Sequence, residues 1–432
     1  MLATRRLENV QYQMAQLYLG KLRAAEATYR RGHENCEHAL AVFDHEWLQI
    51  KHWWDWSAAH VQEGEEIARL CQAFSLAGGE LLVVRLPPQE RLQLLEAGLA
   101  AARLLHDEQA EMVHLYLLAR TQRRIGPFDR ALDTAQQALA IAQQRHDRLY
   151  IGKICNVLGG IFFLQSQYEP AQQNYEQALA ISQALGEKHE MGLAVGGLGN
   201  IAHGQGDFER ARRFDEQYLA ISEANGQPYN VCMALRNMSM GAAHMGDEDA
   251  AVQYAERCVK LCEALGYDQC LVGVLIILGD LAYSRRDFPE AEGYYLRGLE
   301  ISRQIYHRMN EAFALVQLGR LYRQLGDMPA SREHLESALT LSEAIGDSWY
   351  SANALLDMTT LFRITGDTPQ AFAKFGDGLE IMATIESSAM QGLYLLEAAW
   401  LWYEQGQTEQ AAQWMGGLEE NFSALPYDVY IE

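Results

Sequence analysis

Gly206-Asp207-Phe208-Glu209-Arg210-Ala211 decides the fold, because the chain rewrites it at a fixed interval of 40 residues. The same slot reads Gly126-Pro127-Phe128, Ser166-Gln167-Tyr168, Gly246-Asp247-Glu248 and Arg286-Asp287-Phe288. It then reads Gly326-Asp327-Met328, Gly366-Asp367-Thr368 and Gly406-Gln407-Thr408. Eight copies in register, with no insertion, are the mark of a stacked-repeat protein. Glycine closes a helix in the left-handed conformation without a Cβ penalty. The aspartate after it can accept from the free amides of the next helix as an N-cap. Gly-Asp is therefore a two-residue reversal between antiparallel helices.

Around each turn the apolar phase is kept. Eight residues upstream stand Leu118, Leu158, Leu198, Met238, Leu278, Leu318, Met358 and Ala398. Each is followed by a small residue, as in Gly159, Gly199, Gly279 and Gly319. Five residues downstream come Ala131, Ala171, Ala211, Ala251, Ala291, Ser331, Ala371 and Ala411, which let two helix backbones approach closely. A second punctuation at Gly186, Gly226, Gly266 and Gly346 marks the junction between units. His146, Tyr306 and Glu386 replace glycine in that slot, so those junctions are expected to differ locally. Each unit is a helical hairpin that needs its neighbour to bury its apolar face. The fold class is all-α.

The spacing divides the chain into a helical cap or linker over 1–58, a degenerate opening repeat over 59–107, eight regular repeats over 108–417 and a C-terminal cap and tail over 418–432. In the first segment, Val10, Met14, Leu17, Tyr18 and Leu22 give one helical stripe. A second helix carries Ala39, Phe43, Trp47, Ile50 and Trp54. Trp47, Trp53, Trp54 and Trp56 suit either an aromatic ligand pocket or a plug of large rings over the open end of the stack; terminal units must differ from internal ones, which favours the plug. Pro87 or Pro88 is expected to start the second helix of the opening repeat. In the tail, Leu425-Pro426-Tyr427-Asp428 reads as a terminal cap.

The formal charge of −22 and the pI near 5.0 argue against a nucleic-acid partner or an acidic membrane. No apolar run reaches the roughly 18–20 residues that span a bilayer, and the N-terminus has no hydrophobic signal core. A cytoplasmic location is expected. The seven cysteines form no CxxC pair and read as buried thiols in a reducing compartment. His38, His45 and His52 recur every seven residues, about 10.5 Å along a helix, too far apart to chelate one ion; no metal centre is expected. GxSxG, HExxH and GxxxxGK[ST] are all absent, so neither catalysis nor a cofactor is expected.

The Leu-Gly pairs at 158–159, 198–199, 278–279 and 318–319, the aromatic slot at Phe162, Tyr322 and Phe362, the alanine slot and Tyr175-x-x-Ala178-Leu179 resemble the tetratricopeptide repeat. The resemblance implies a right-handed α-α superhelix of antiparallel helix pairs. Its period is 40 residues rather than 34, which implies longer helices. The longer form, with Phe43-Asp44-x-Glu46-Trp47-x-x-Ile50 and Trp56-x-Ala58, is similar to the C-terminal sensor arrays of signal-transduction ATPases of the STAND/NB-ARC class. That implies an ATPase or effector domain N-terminal to this segment, and a protein or peptide ligand sensed by the repeats; a free-standing adaptor is the alternative.

In that family the first helix of each unit lines the concave groove. The residues implied there are Arg120 and Arg123, Lys153 and Asn156, Asn200 and His203, Arg236 and His244, Asp280 and Tyr283, Arg320 and Arg323, Asn353 and Arg363, and Trp400 and Tyr403. Cations on such a wall inside an acidic shell suit an anionic or carboxylate-bearing ligand. The bland reading of the same residues is a solvated wall, with some side chains paired to neighbouring carboxylates.

Overall fold

The computed structural model describes residues 2–32, 34–385 and 388–421, and side chains over most of that span. Two long helices come first, α1 (Leu2–Tyr29) and α2 (Glu34–Ala59). The opening repeat holds three: α3 (Glu65–Ala77), α4 (Gly79–Arg85) and α5 (Pro88–Leu104). Eight pairs follow: α6 (Glu108–Gln122) with α7 (Phe128–Gln144), α8 (Arg148–Leu164) with α9 (Tyr168–Leu185), α10 (Lys188–Gly204) with α11 (Phe208–Ala224), and α12 (Pro228–His244) with α13 (Glu248–Leu265). The remaining four are α14 (Asp268–Ser284) with α15 (Phe288–Gln304), α16 (Arg308–Leu325) with α17 (Met328–Ile345), α18 (Ser348–Ile364) with α19 (Thr368–Met382), and α20 (Ser388–Glu404) with α21 (Thr408–Asn421). No strand occurs among the described residues. The molecule is an all-α solenoid.

The turns have the chemistry their residues dictate. Gly206 sits at φ 77°, the Asp207 amide donates to the Ala202 carbonyl at 2.9 Å, and the Asp207 carboxylate accepts from the Arg210 amide at 3.1 Å. Asp247, Asp287, Asp327 and Asp367 cap the next helix in the same way. The junctions use the same device, with Gly186, Gly226, Gly266 and Gly346 left-handed. His146 and Tyr306 take that conformation too, at φ 55° and 54°, as do Ser166 and Arg286 in the turn slot. The expected local difference at the His146 and Tyr306 junctions is therefore corrected: packing on both sides fixes the turn, and the side chains carry the strain. Glu386 lies outside the described residues.

Within a pair the helices touch closely. A Cβ on Gly279 would stand 2.3 Å from the Tyr295 ring, and Ala131, Ala171, Ala211, Ala251, Ala291 and Ala371 are fully buried. Between pairs the layers differ. Each first helix packs on the next first helix, as α12 does on α14 and α16 on α18, and among the described residues no comparable packing joins successive second helices. The first helices therefore lie on the inner radius of the curve and the second helices on the outer.

The N-terminal segment does more than close one end. Trp54 is buried and stacks on Phe74, and Trp47 stacks on Phe43. The tip of α1 reaches the middle of the solenoid, where the Tyr29 and Tyr267 hydroxyls are 3.2 Å apart. Arg85 donates to the carbonyls of Leu265 and Gly266. The stripe on α1 also differs from the expected one. Ala15, Leu19, Leu22, Ala25 and Tyr29 are buried, while Val10 and Leu17 are 51% and 52% exposed; of the expected stripe Leu22 is buried, and the buried face is turned toward Ala15, Leu19 and Ala25. The last eleven residues, with the Leu425-Pro426-Tyr427-Asp428 cap, lie outside the described part. Among the described residues no single helix is long and apolar enough to cross a membrane; the bent pair α3–α4 matches by length and composition and is a largely buried element here.

Candidate functional site: the inner wall

The inner wall is built from side chains that link one first helix to the next. Asn237 donates to Asn200 at 2.8 Å. Gln317 donates to Asp280, whose carboxylate also accepts from the Tyr295 hydroxyl at 2.7 Å. Arg320 reaches Asp357 at 2.6 Å and Asn353 at 2.9 Å, and Arg323 shares Asp357 at 3.3 Å. Arg363 joins Glu397 at 2.7 Å and Glu404 at 2.6 Å. At the other end Arg120 grips Glu80 of α4 through two bonds of 2.6 Å. Asn156 donates to Glu190. The three bonds Asn200–Asn237, Asp280–Gln317 and Arg320–Asp357 each span 37 residues, one period less three. Successive first helices thus meet one turn out of step.

Every expected site residue lies on a first helix except Arg123, which caps the end of α6. They do not all face one surface. His203 bonds buried Asp215 of its own hairpin at 2.8 Å, His244 stacks on Phe208 at 4.7 Å, and Tyr283 lies against Phe288. These three point into the turns. Arg123 is drawn toward Gly160 and Tyr175. Lys153 sits over the Tyr150 ring at 5.1 Å, and Arg236 donates to Asn237. Trp400 and Tyr403 meet edge to face at 5.9 Å and are 44% and 58% exposed, with Arg363 over the Trp400 ring. The carboxylate and amide partners Glu80, Asn237, Gln317, Asp357 and Glu397 were missed in the sequence.

The wall's electrostatics follow from this pairing. Burial alone would raise the Glu80 carboxyl, but the Arg120 guanidinium outweighs it and holds it well below the carboxylate range. Burial pushes the Asp280 carboxyl up to about 6, against its hydrogen bonds from Tyr295 and Gln317 and the charge of Arg320. His307 at the start of α16 is pushed down to about 3 by burial and by the Arg124 charge. Where the opening repeat meets the starts of α14 and α16 there is a cavity of about 90 Å³ bounded by Leu86, Arg124, Tyr229, Tyr267 and His307. Ligand sites run to several hundred Å³, so this one suits a few waters. The open wall is the larger feature.

Models of the tetratricopeptide repeat match residues 115–149, 152–224 and 310–384. A search of the curated proteins found no match. Among solved structures, a Rap protein complexed with competence and sporulation factor superposes with a TM-score of 0.62 at 15% identity, over 81% of this chain and 97% of that one. NprR in complex with its cognate peptide NprX gives 0.56 at 13% identity, over 79% and 96%. Aspartyl phosphate phosphatase F from Bacillus subtilis gives 0.51 at 13% identity, over 80% and 92%. At such identities the likeness is one of fold. Together with the eight in-phase helix pairs, these matches make the chain a tetratricopeptide-repeat superhelix.

Proposed function

We propose that this superhelix is the ligand-sensing part of a cytoplasmic bacterial signalling regulator, and that it holds a protein or peptide segment in extended form along the inner wall. The observation that carries the reading is the set of bonds between first helices, Asn200–Asn237, Asp280–Gln317, Arg320–Asp357 and Arg363–Glu397. Its amides and guanidiniums are already ordered by their neighbours, so a ligand loses little side-chain entropy in meeting them. Exposed Trp400 and Tyr403 supply the large amphipathic rings that dominate binding energies. NprR with its cognate peptide is a precedent for this architecture holding a peptide. An anionic ligand would have to displace Glu80, Asp357 or Glu397 from the wall arginines. Recognition of main-chain amides fits the wall better.

Contact between successive turns of the superhelix favours a second reading, a rigid adaptor that assembles partners without switching. A Cβ on Gly126 would stand 2.2 Å from the Ile345 carbonyl oxygen, so the turns already touch. The test is a random peptide library panned on the chain. A double variant, Trp400→Ala with Tyr403→Ala, should weaken an enriched peptide about tenfold or more. Unchanged affinity refutes the wall as the binding site. A constant scattering radius on peptide binding selects the adaptor over the sensor.

A further inference from the structure

Four of the seven cysteines converge in one place. Cys232 comes from α12, Cys258 and Cys262 from successive turns of α13, and Cys270 from α14. All four are fully buried and none is in a disulfide. The sulfurs of Cys232, Cys258 and Cys262 lie within 4.8 Å of one another. The Cys258 sulfur is 3.9 Å from that of Cys262 and 3.8 Å from that of Cys270.

The repeat itself does not require this. The equivalent positions one unit earlier are Gly192, Tyr218, Ser222 and Asn230, and one unit later Val272, Gly298, Ser302 and Asn310. Ordinary packing at these slots uses unrelated small, polar and aromatic residues. Only here do all four become thiols, although they are drawn from three helices.

We propose that Cys232, Cys258, Cys262 and Cys270 form a structural zinc site that pins α12, α13 and α14 together. A tetrahedral zinc with Zn–S near 2.3 Å sets its sulfurs about 3.8 Å apart, the spacing already present around Cys258. In loading, four S–H bonds release four protons to solvent and four Zn–S bonds form, which leaves two units of negative charge on the centre. The Arg236 guanidinium is the neighbouring cation. With every sulfur buried, the ion enters as the chain folds rather than after it. Sequence spacing hid the set because Cys232 is 26 residues from Cys258 and no CxxC occurs.

The test is to unfold and reduce the full chain, refold it with one equivalent of zinc chloride, strip loose metal on a chelating resin and measure bound zinc by mass spectrometry. About one zinc per chain is expected. A cobalt(II) refold should show sulfur-to-cobalt charge transfer in the near ultraviolet. Cys258→Ser should lower bound metal at least tenfold, while Cys36→Ser and Cys155→Ser keep it. Less than a tenth of a zinc per wild-type chain overturns the proposal, as does full zinc in Cys258→Ser. If that variant does not fold, the wild-type cobalt spectrum decides: its bands without sulfur charge transfer also overturn the proposal.

Discussion

At the scale of single residues, the turns separate what sequence shows from what packing imposes. Gly206 and Asp207 announce their roles, because left-handed backbone and N-capping are local properties. Ser166, Arg286, His146 and Tyr306 do not, because their conformation is imposed by the helices on either side. Tyr306 is 64% exposed, so its ring contributes little in return for the strain. Tyr306→Gly should stabilise the chain by about 0.5–1 kcal/mol, the relief of left-handed strain less the added flexibility of glycine when unfolded. Thermal unfolding measures it, and a lowered midpoint counts against the account.

Two buried histidines destabilise the fold in acid, opposed by Asp280 and Asp347, which burial raises to about 6 and about 7. His114 donates from Nδ1 to the Ala110 carbonyl and meets the Ser75 hydroxyl at Nε2, and burial lowers it to about 4. His307 is lowered further. A histidine depressed in the fold binds fewer protons there than in the unfolded chain. Its stabilising contribution is full above pH 6.5 and is lost as pH falls toward 4. Each should cost about 2 kcal/mol by pH 5. The fall in denaturant midpoint from pH 7 to pH 5 should be smaller in His114→Gln than in the wild type; equal shifts contradict the buried, neutral assignment.

At the scale of helices, the hairpins were legible and the links between them were not. The 40-residue period gives the pairs directly. The wall ladder obeys a spacing of 37, which a search for cation–carboxylate pairs at that distance finds at Arg320 and Asp357. Nothing comparable marks Glu80, since α4 belongs to the degenerate repeat. The Glu80–Arg120 pair is largely buried, so removing one partner leaves an uncompensated charge. Glu80→Ala should cost about 3 kcal/mol, while Glu80→Leu with Arg120→Met should cost less. Additive losses in that cycle contradict the pairing.

At the scale of the molecule, the superhelix is held by contacts between distant parts that no local pattern reveals. A Cβ on Gly32 would stand 2.2 Å from the Gly226 carbonyl oxygen, and one on Gly126 equally close to that of Ile345. Gly366 has the same left-handed backbone with nothing within 4 Å. Gly126→Ala and Gly366→Ala should therefore share a local loss of about 1 kcal/mol, but only Gly126→Ala should expand the particle in small-angle scattering. Equal radii would show that the turns are not in contact. A plug at the N-terminal end is consistent with the buried ring of Trp54 but does not account for the reach of α1 to Tyr267, 238 residues away in the chain.

The central claim is that the first helices form the wall on which a partner segment lies. It is tested most directly by photo-crosslinking a library-selected peptide, carrying a benzophenone at successive positions, to the full chain and mapping the attachment sites by mass spectrometry. The account predicts attachments on α8, α10, α12, α14, α16, α18 and α20, near residues such as Lys153, Asn353 and Trp400. Attachments confined to the outer helices α9, α11, α13, α15, α17 and α19 would contradict it.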